Sequence, residues 1–195
     1  MQLLSFQLRR LAACICPYVM PMINPFSKSF KAIELEIFDF LSKIPFFQAL
    51  SPNEMARFLP AIHRRKYQQG EVVFFRGDPS QALYLIEKGR VNLNIDIQEN
   101  MEVIRVARTQ EAFGENALLA DTKRIYSAIV DSEEAELIVI PYFSIQEIFA
   151  SHPKIQAKMM TALAAFYNRN NQVLFSSYRN SYGFFSLSQL YEDNQ

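Results

Sequence analysis

From Val91 to Gln98 apolar and polar residues alternate without a break: Val91-Asn92-Leu93-Asn94-Ile95-Asp96-Ile97-Gln98. Successive side chains of a strand point to opposite faces, so this run gathers its apolar residues on one side only as a β-strand. A helix would scatter the same residues around its circumference. Val72 to Phe75, Leu83 to Ile86, Val103 to Ala107, Ile125 to Val130 and Leu137 to Ile140 read as further strands. Turn-forming residues separate them at Gln69-Gly70, Gly77-Asp78-Pro79-Ser80, Lys88-Gly89 and Glu99-Asn100. Lys88-Gly89 predicts a two-residue hairpin loop. Many short strands at this spacing predict a closed or double-layered antiparallel structure.

Helical patterns flank the β region. Ile33, Leu35, Ile37, Phe38 and Leu41 supply an apolar face to a helix over about 32–41. Ser51-Pro52-Asn53-Glu54 is a capping box with Pro at the first helical position, and helical spacing continues from Met55 to Ile62. The basic run His63-Arg64-Arg65-Lys66 then reads as a solvated helix end. After Pro141 a short helix ends near His152-Pro153, and a long one starts near Lys154 with Ile155, Met159, Leu163 and Phe166 on one stripe. That stripe either pairs two copies of the helix or covers the β region. Residues 176–195 show no period and read as a tail. Residues 1–30 read as an apolar leader, disordered or amphipathic, or as sequence ahead of a start at Met20 or Met22. They are too short and too broken by Pro17 and Pro21 to span a bilayer. The domain proper is assigned to 31–175.

Twenty basic and twenty acidic residues cancel in the 195-residue chain, so nothing in the charge balance points to a polyanion-binding surface. Cys14 and Cys16 have no second Cys or His pair beside them for zinc and no framework of disulfides, which fits a reducing, cytoplasmic compartment. His63 and His152 lack partners for acid–base or metal work. There is no nucleophile elbow, zinc spacing or Walker-type loop, so no catalytic residues, metal or cofactor are assigned and an enzyme is not expected.

One constellation carries chemistry: Phe113-Gly114-Glu115-Asn116-Ala117-Leu118-Leu119, followed nine residues after Glu115 by Arg124. Glycine lets backbone approach an anion closely, and a helical turn over Ala117 to Ala120 would aim free amides at it. The arginine fork matches phosphate oxygens two at a time. An ionised Glu115 only accepts hydrogen bonds, so it wants a hydroxyl and would repel a phosphate. The set suits a ligand with both a phosphate and a free sugar hydroxyl. Bland alternatives are an Arg124 paired at the surface and a Glu115 that merely holds Arg124 in an empty site.

These residues, with Gly70-Glu71-Val72-Val73-Phe74, Arg76-Gly77-Asp78, Leu83-Tyr84-Leu85-Ile86, Gly89-Arg90-Val91 and Lys123-Arg124, make residues 44–173 resemble the cyclic-nucleotide-binding domain of bacterial catabolite activators, cyclic-AMP-dependent kinase regulatory subunits and nucleotide-gated channels. The resemblance implies a mainly β fold, a double-stranded β-helix jelly roll with N-terminal helices and a long C-terminal helix as lid. It implies that Glu115 takes the ribose 2′-hydroxyl and that Arg124 pairs with the cyclic phosphate, helped by amides of Gly114, Glu115, Asn116 and Ala117. Where many relatives have a small or hydroxyl residue after the arginine, this chain has Ile125, then Tyr126, and Ser127 is taken as the hydroxyl. Asn170 and Asn171 stand at the depth where the C-terminal helix would cover the purine. The implied function is a stand-alone sensor of cyclic AMP or cyclic GMP that signals by moving that helix, with a homodimer through it. The rival reading is a ligand-free interaction domain that keeps the fold. Only 42 residues follow Pro153, too few for the long helix and a winged helix-turn-helix, so DNA binding is not expected, nor is a membrane partner.

Overall fold

The computed structural model describes residues 30–97 and 100–180, and the leader and the residues after 180 lie outside the described part. The alternating run folds as strand β4 (Arg90–Ile97). It lies inside a four-stranded antiparallel sheet in the order β2 (Val72–Phe74), β7 (Ser127–Val130), β4 and β5 (Asn100–Arg108). Val91 and Leu93 face the core. The register against β5 then slips between Leu93 and Asn94, so that both residues are buried and the strict alternation ends there. Asn94 meets this burial by donating its amide to the Asn92 carbonyl at 3.1 Å.

A second four-stranded sheet holds β1 (His63–Gln68), β8 (Glu134–Pro141), β3 (Ala82–Lys88) and β6 (Ala112–Phe113) in that order. The two sheets enclose one core built from Phe74, Ile86, Val91, Leu93, Phe113, Tyr126 and Leu137, among others. This is the expected jelly roll, mainly antiparallel β with flanking helices.

Two local expectations fail for physical reasons. Lys88-Gly89 is not a hairpin loop, because β3 and β4 belong to different sheets. Gly89 is the point of transfer: its φ is +93°, and a Cβ there would lie 2.5 Å from the Glu134 carbonyl oxygen. The basic run at His63 is not a helix end but edge strand β1, paired along its length with β8. Arg64 meets Glu87 at 2.8 and 2.9 Å, and Lys66 meets Glu136 at 3.1 Å. Charges on an edge strand deter further strand pairing.

Helix α1 (Ala32–Ser42) precedes α2 (Pro52–Met55), which has the expected capping box: the Ser51 amide donates to Glu54 Oε2 at 2.7 Å, and Ser51 Oγ accepts from the Glu54 amide at 3.4 Å. The helical run stops at Met55 instead of reaching Ile62. Pro60 removes a donor and disfavours helix at Leu59, and the chain tightens into a 3₁₀ turn over Leu59–Ala61. After α3 (Tyr142–Ser151), α4 runs from Pro153 to Asn180, so the first residues assigned to the tail are helical. Ile155, Met159 and Leu163 are buried within this chain, and Phe166 meets Phe46 edge to face at 5.5 Å. No described helix is long and apolar enough to cross a membrane.

Lys158 of α4 reaches both oxygens of Glu54, at 2.7 and 2.9 Å, tying the capping box of α2 to the long helix. That hydrogen bond, with those from Ser51, holds the Glu54 pKa down at about 2. A carboxylate depressed on folding stabilises above its unfolded pKa, near 4.5, and loses the contribution as pH falls towards 2. Glu54→Gln is therefore expected to lower stability by about 1 kcal/mol at pH 7, after discount for solvent screening, with the gap from wild type closing between pH 4.5 and pH 2 in urea titrations.

Candidate functional site

The candidate site begins where β6 ends. Phe113 is buried between the sheets, and Gly114 turns the chain with φ +72° and ψ +30°. A Cβ there would lie 2.6 Å from Arg124 Nη1, so both the dihedral and the space require glycine. A 3₁₀ turn over Glu115–Leu118 follows, where one helical turn over Ala117 to Ala120 was expected. Glu115, Asn116 and Ala117 are buried in it. The Gly114 carbonyl accepts from the Ala117 amide at 3.1 Å, and the Thr122 hydroxyl donates to the Asn116 carbonyl at 2.7 Å.

Arg124 arrives from the other side. Its amide donates to the Asp78 carbonyl at 2.8 Å, and its carbonyl accepts from the Gly77 amide at 2.9 Å. Asp78 in turn accepts from the Phe75 amide at 2.9 Å through Oδ2. The Arg76-Gly77-Asp78 turn thus fixes the backbone from which the arginine projects. The side chain is only 3% exposed. Nη1 donates to the Gly114 carbonyl at 2.9 Å and Nη2 to the Ala82 carbonyl at 2.6 Å. The guanidinium carbon lies 4.1 Å from the Phe74 ring centre and 5.6 Å from that of Tyr84, which stacks on Phe113 at 5.1 Å. Aromatic faces attract a desolvated cation. Nε is buried without a partner. Burial pulls the pKa of the group below its ordinary value, and the nearby Tyr84, Tyr126 and Glu115 oppose the shift.

Glu115 does not pair with Arg124. It is 4% exposed and accepts the hydroxyl proton of Tyr126 at 3.0 Å. The same phenol oxygen accepts from the Gly114 amide at 2.8 Å. Burial, and then the charge of Glu115, push the Tyr126 pKa well up, so the phenol stays protonated and remains a donor. The Tyr167 hydroxyl on α4 has its pKa pushed up to about 12, first by burial and then by the charge of Glu115.

A buried arginine and a buried carboxylate are thus held on either side of one glycine turn inside a jelly roll. The sequence profile of the cyclic nucleotide-binding domain matches residues 64–152, the strands and turns that carry this arrangement. Residues 64–152, a little under half of the chain, are similar to that family. The chain is 35% identical over 97 residues to a cyclic AMP receptor protein of Thermus thermophilus, covering 49% of this chain and 44% of that one. It is 30% identical over 95 residues to a cAMP-dependent protein kinase regulatory subunit of Colletotrichum orbiculare, covering 49% of this chain and 24% of that one. The chain spans less than half the length of these relatives. Among solved structures it is similar to the Thermus thermophilus catabolite activator protein, with TM-score 0.58 and 29% identity over 68% of this chain and 62% of that chain. The sensor domain of the transcriptional regulator DNR from Pseudomonas aeruginosa shares the fold, with TM-score 0.61 and 18% identity over 74% of this chain and 95% of that one.

Within the matched region, Gly114, Glu115, Asn116, Ala117 and Arg124 lie on or against one buried turn. Ile125 is 59% exposed and outside the buried cluster, but it lines an open groove of about 640 Å³ together with Arg124, Arg76, Met101 and Ser127. Ser127 is buried, and its hydroxyl accepts from the Arg76 amide at 3.0 Å. Asn170 lines a separate groove of about 340 Å³ with Arg105 and Phe166. Asn171 is exposed.

Sequence reasoning missed Tyr126. It looked for a hydroxyl at Ser127, although a phenol is itself a donor and an acceptor. The available signal was the order Arg124-Ile125-Tyr126, in which two residues face the core and the apolar one between them faces out. It also missed the two carbonyls that hold the guanidinium, because backbone acceptors leave no mark in side-chain identity.

Gly114→Ala is expected to destabilise the domain by about 2 kcal/mol or more, since the substitution adds both a left-handed dihedral and a clash with Arg124. Urea denaturation of the two proteins measures it. An unchanged midpoint would mean that the turn is not as tight as described.

Proposed function

We propose that the chain is a sensor module that binds cyclic AMP or cyclic GMP at the Gly114–Arg124 cluster and reports through α4. The observation that carries this reading is the placement of a buried Arg124, its Nε without a partner among the described residues, and a buried Glu115 on the two sides of one turn. A cyclic nucleotide offers the complementary pair, a phosphate for the guanidinium and a ribose hydroxyl for the carboxylate. The names of the similar proteins, a cyclic AMP receptor and a kinase regulatory subunit, support the same ligand class. Tyr167 of α4 lies within electrostatic reach of Glu115, so in this proposal a ligand that alters the carboxylate's contacts is felt on the long helix. It shifts the helix by its difference in affinity for the two helix positions.

The output surface in this proposal is the far half of α4, where Val173, Leu174 and Phe175 are exposed and suit pairing with a second copy in the cytoplasm. A rival, ligand-free role is favoured by the way the chain already satisfies its own site: both terminal nitrogens of Arg124 and one oxygen of Glu115 are engaged internally.

Calorimetric titration with cyclic AMP and cyclic GMP, with melting curves in parallel, separates the two. The sensor reading expects binding by the wild type and at least tenfold weaker binding by Arg124→Lys, which keeps the charge and loses the fork. Absence of heat and of any melting shift at about millimolar ligand, an affinity worth only about 4 kcal/mol, would support the ligand-free role.

A further inference from the structure

The Tyr126 hydroxyl engages Glu115, the group that the proposed function gives to a sugar hydroxyl, and the Gly114 amide beside it. It donates to Glu115 at 3.0 Å and accepts from the Gly114 amide at 2.8 Å. One small group therefore engages one carboxylate oxygen, Oε2, and an amide of the turn together. We propose that Tyr126 is a built-in competitor for the nucleotide's sugar hydroxyl, so that ligand enters this domain by exchanging one hydroxyl for another at Glu115. The proposal rests on the reading that a cyclic nucleotide binds here.

Three features make the phenol a standing occupant and not a passing contact. It is 5% exposed and belongs to the core between the sheets. Its ring is 5.8 Å from that of Phe74, the same ring that carries the Arg124 guanidinium. Its hydroxyl is held in the protonated form by burial, so it does not lose its role as donor at ordinary pH. Glu115 is closed over along with it, at 4% exposed, and the phenol holds Oε2, so a sugar hydroxyl that takes that oxygen has to move the phenol away.

The consequence is quantitative. A hydrogen bond to a buried carboxylate is ordinarily worth roughly ten- to hundredfold in binding. Here one such bond is broken for each one made, so the sugar hydroxyl contributes little net affinity. The resting domain, in turn, is not left with a bare buried carboxylate. Tyr126 thereby sets a low affinity and a satisfied empty state through a single oxygen atom. Removal of that atom restores the full value of the sugar hydroxyl.

The test compares wild type and Tyr126→Phe, which keeps the ring and deletes the oxygen, each titrated with cyclic AMP and with 2′-deoxy cyclic AMP. In wild type the two ligands are expected to bind within about threefold of each other. In Tyr126→Phe cyclic AMP is expected to gain roughly ten- to hundredfold while the deoxy analogue changes by less than about threefold. Equal cyclic AMP affinities in the two proteins, or a gain shared equally by the deoxy analogue, would overturn the proposal and leave the functional reading standing. Binding by Tyr126→Phe alone supports the competitor and overturns the sensor role of the wild type. No binding by either protein, both shown folded by their melting curves, overturns the functional reading and the competitor with it. If Tyr126→Phe does not fold, the wild-type pair of ligands decides: a preference for cyclic AMP of roughly tenfold or more would sink the idea.

Discussion

A guanidinium that is 3% exposed inside a β-sandwich has to be satisfied by its surroundings, and most of this domain's local structure answers to that demand. The Ala82 carbonyl that receives Nη2 lies at the start of β3, and the Gly114 carbonyl that receives Nη1 is freed for the purpose by a left-handed turn. Phe74 from β2 and Tyr84 from β3 offer ring faces to the cation. The Gly77–Asp78 turn holds the backbone of Arg124 at both its amide and its carbonyl. Residues from two strands and two turns therefore converge on one side chain. The turn motifs scattered over the sequence are parts of a single support.

The carboxylate beside it is met in a different way. Coulomb attraction reaches Arg124, but the hydrogen bond comes from Tyr126. Two opposite charges buried near each other without direct contact leave each free to take a separate partner. Those partners are backbone carbonyls for the cation and a phenol for the anion. The satisfaction is partial: Arg124 Nε and the Asn116 side-chain oxygen are buried with no partner among the described residues.

Legibility in the sequence differed from element to element. The alternation at Val91 to Ile97 forces a strand with one inner face, and β4 has it up to the bulge at Asn94. The capping box at Ser51 to Glu54 depends on neighbours three residues apart and appeared as read. Lys88-Gly89 looked like a hairpin because a local signal cannot tell a strand that pairs with its predecessor from one that leaves for another sheet. His63 to Lys66 looked like a helix end because charge alone does not distinguish an exposed helix turn from an edge strand. The partner that decides, β8, lies about seventy residues away and reaches β1 only by tertiary pairing.

The family resemblance, the two-sheet architecture and the candidate pair Glu115 and Arg124 were legible in the sequence alone, because each rests on residue types at short spacings: a period of two, a glycine turn, an arginine nine residues beyond a carboxylate. Only the tertiary structure decided what that pair touches. The Ala82 carbonyl is 42 positions from Arg124 in the chain, and the Tyr126 hydroxyl reaches Glu115 from the opposite side of a loop, so neither contact leaves a periodic or local trace. Hydrogen bonds are made by atoms brought within about 3 Å, and in this site the folding of the two sheets onto each other chose which atoms those are.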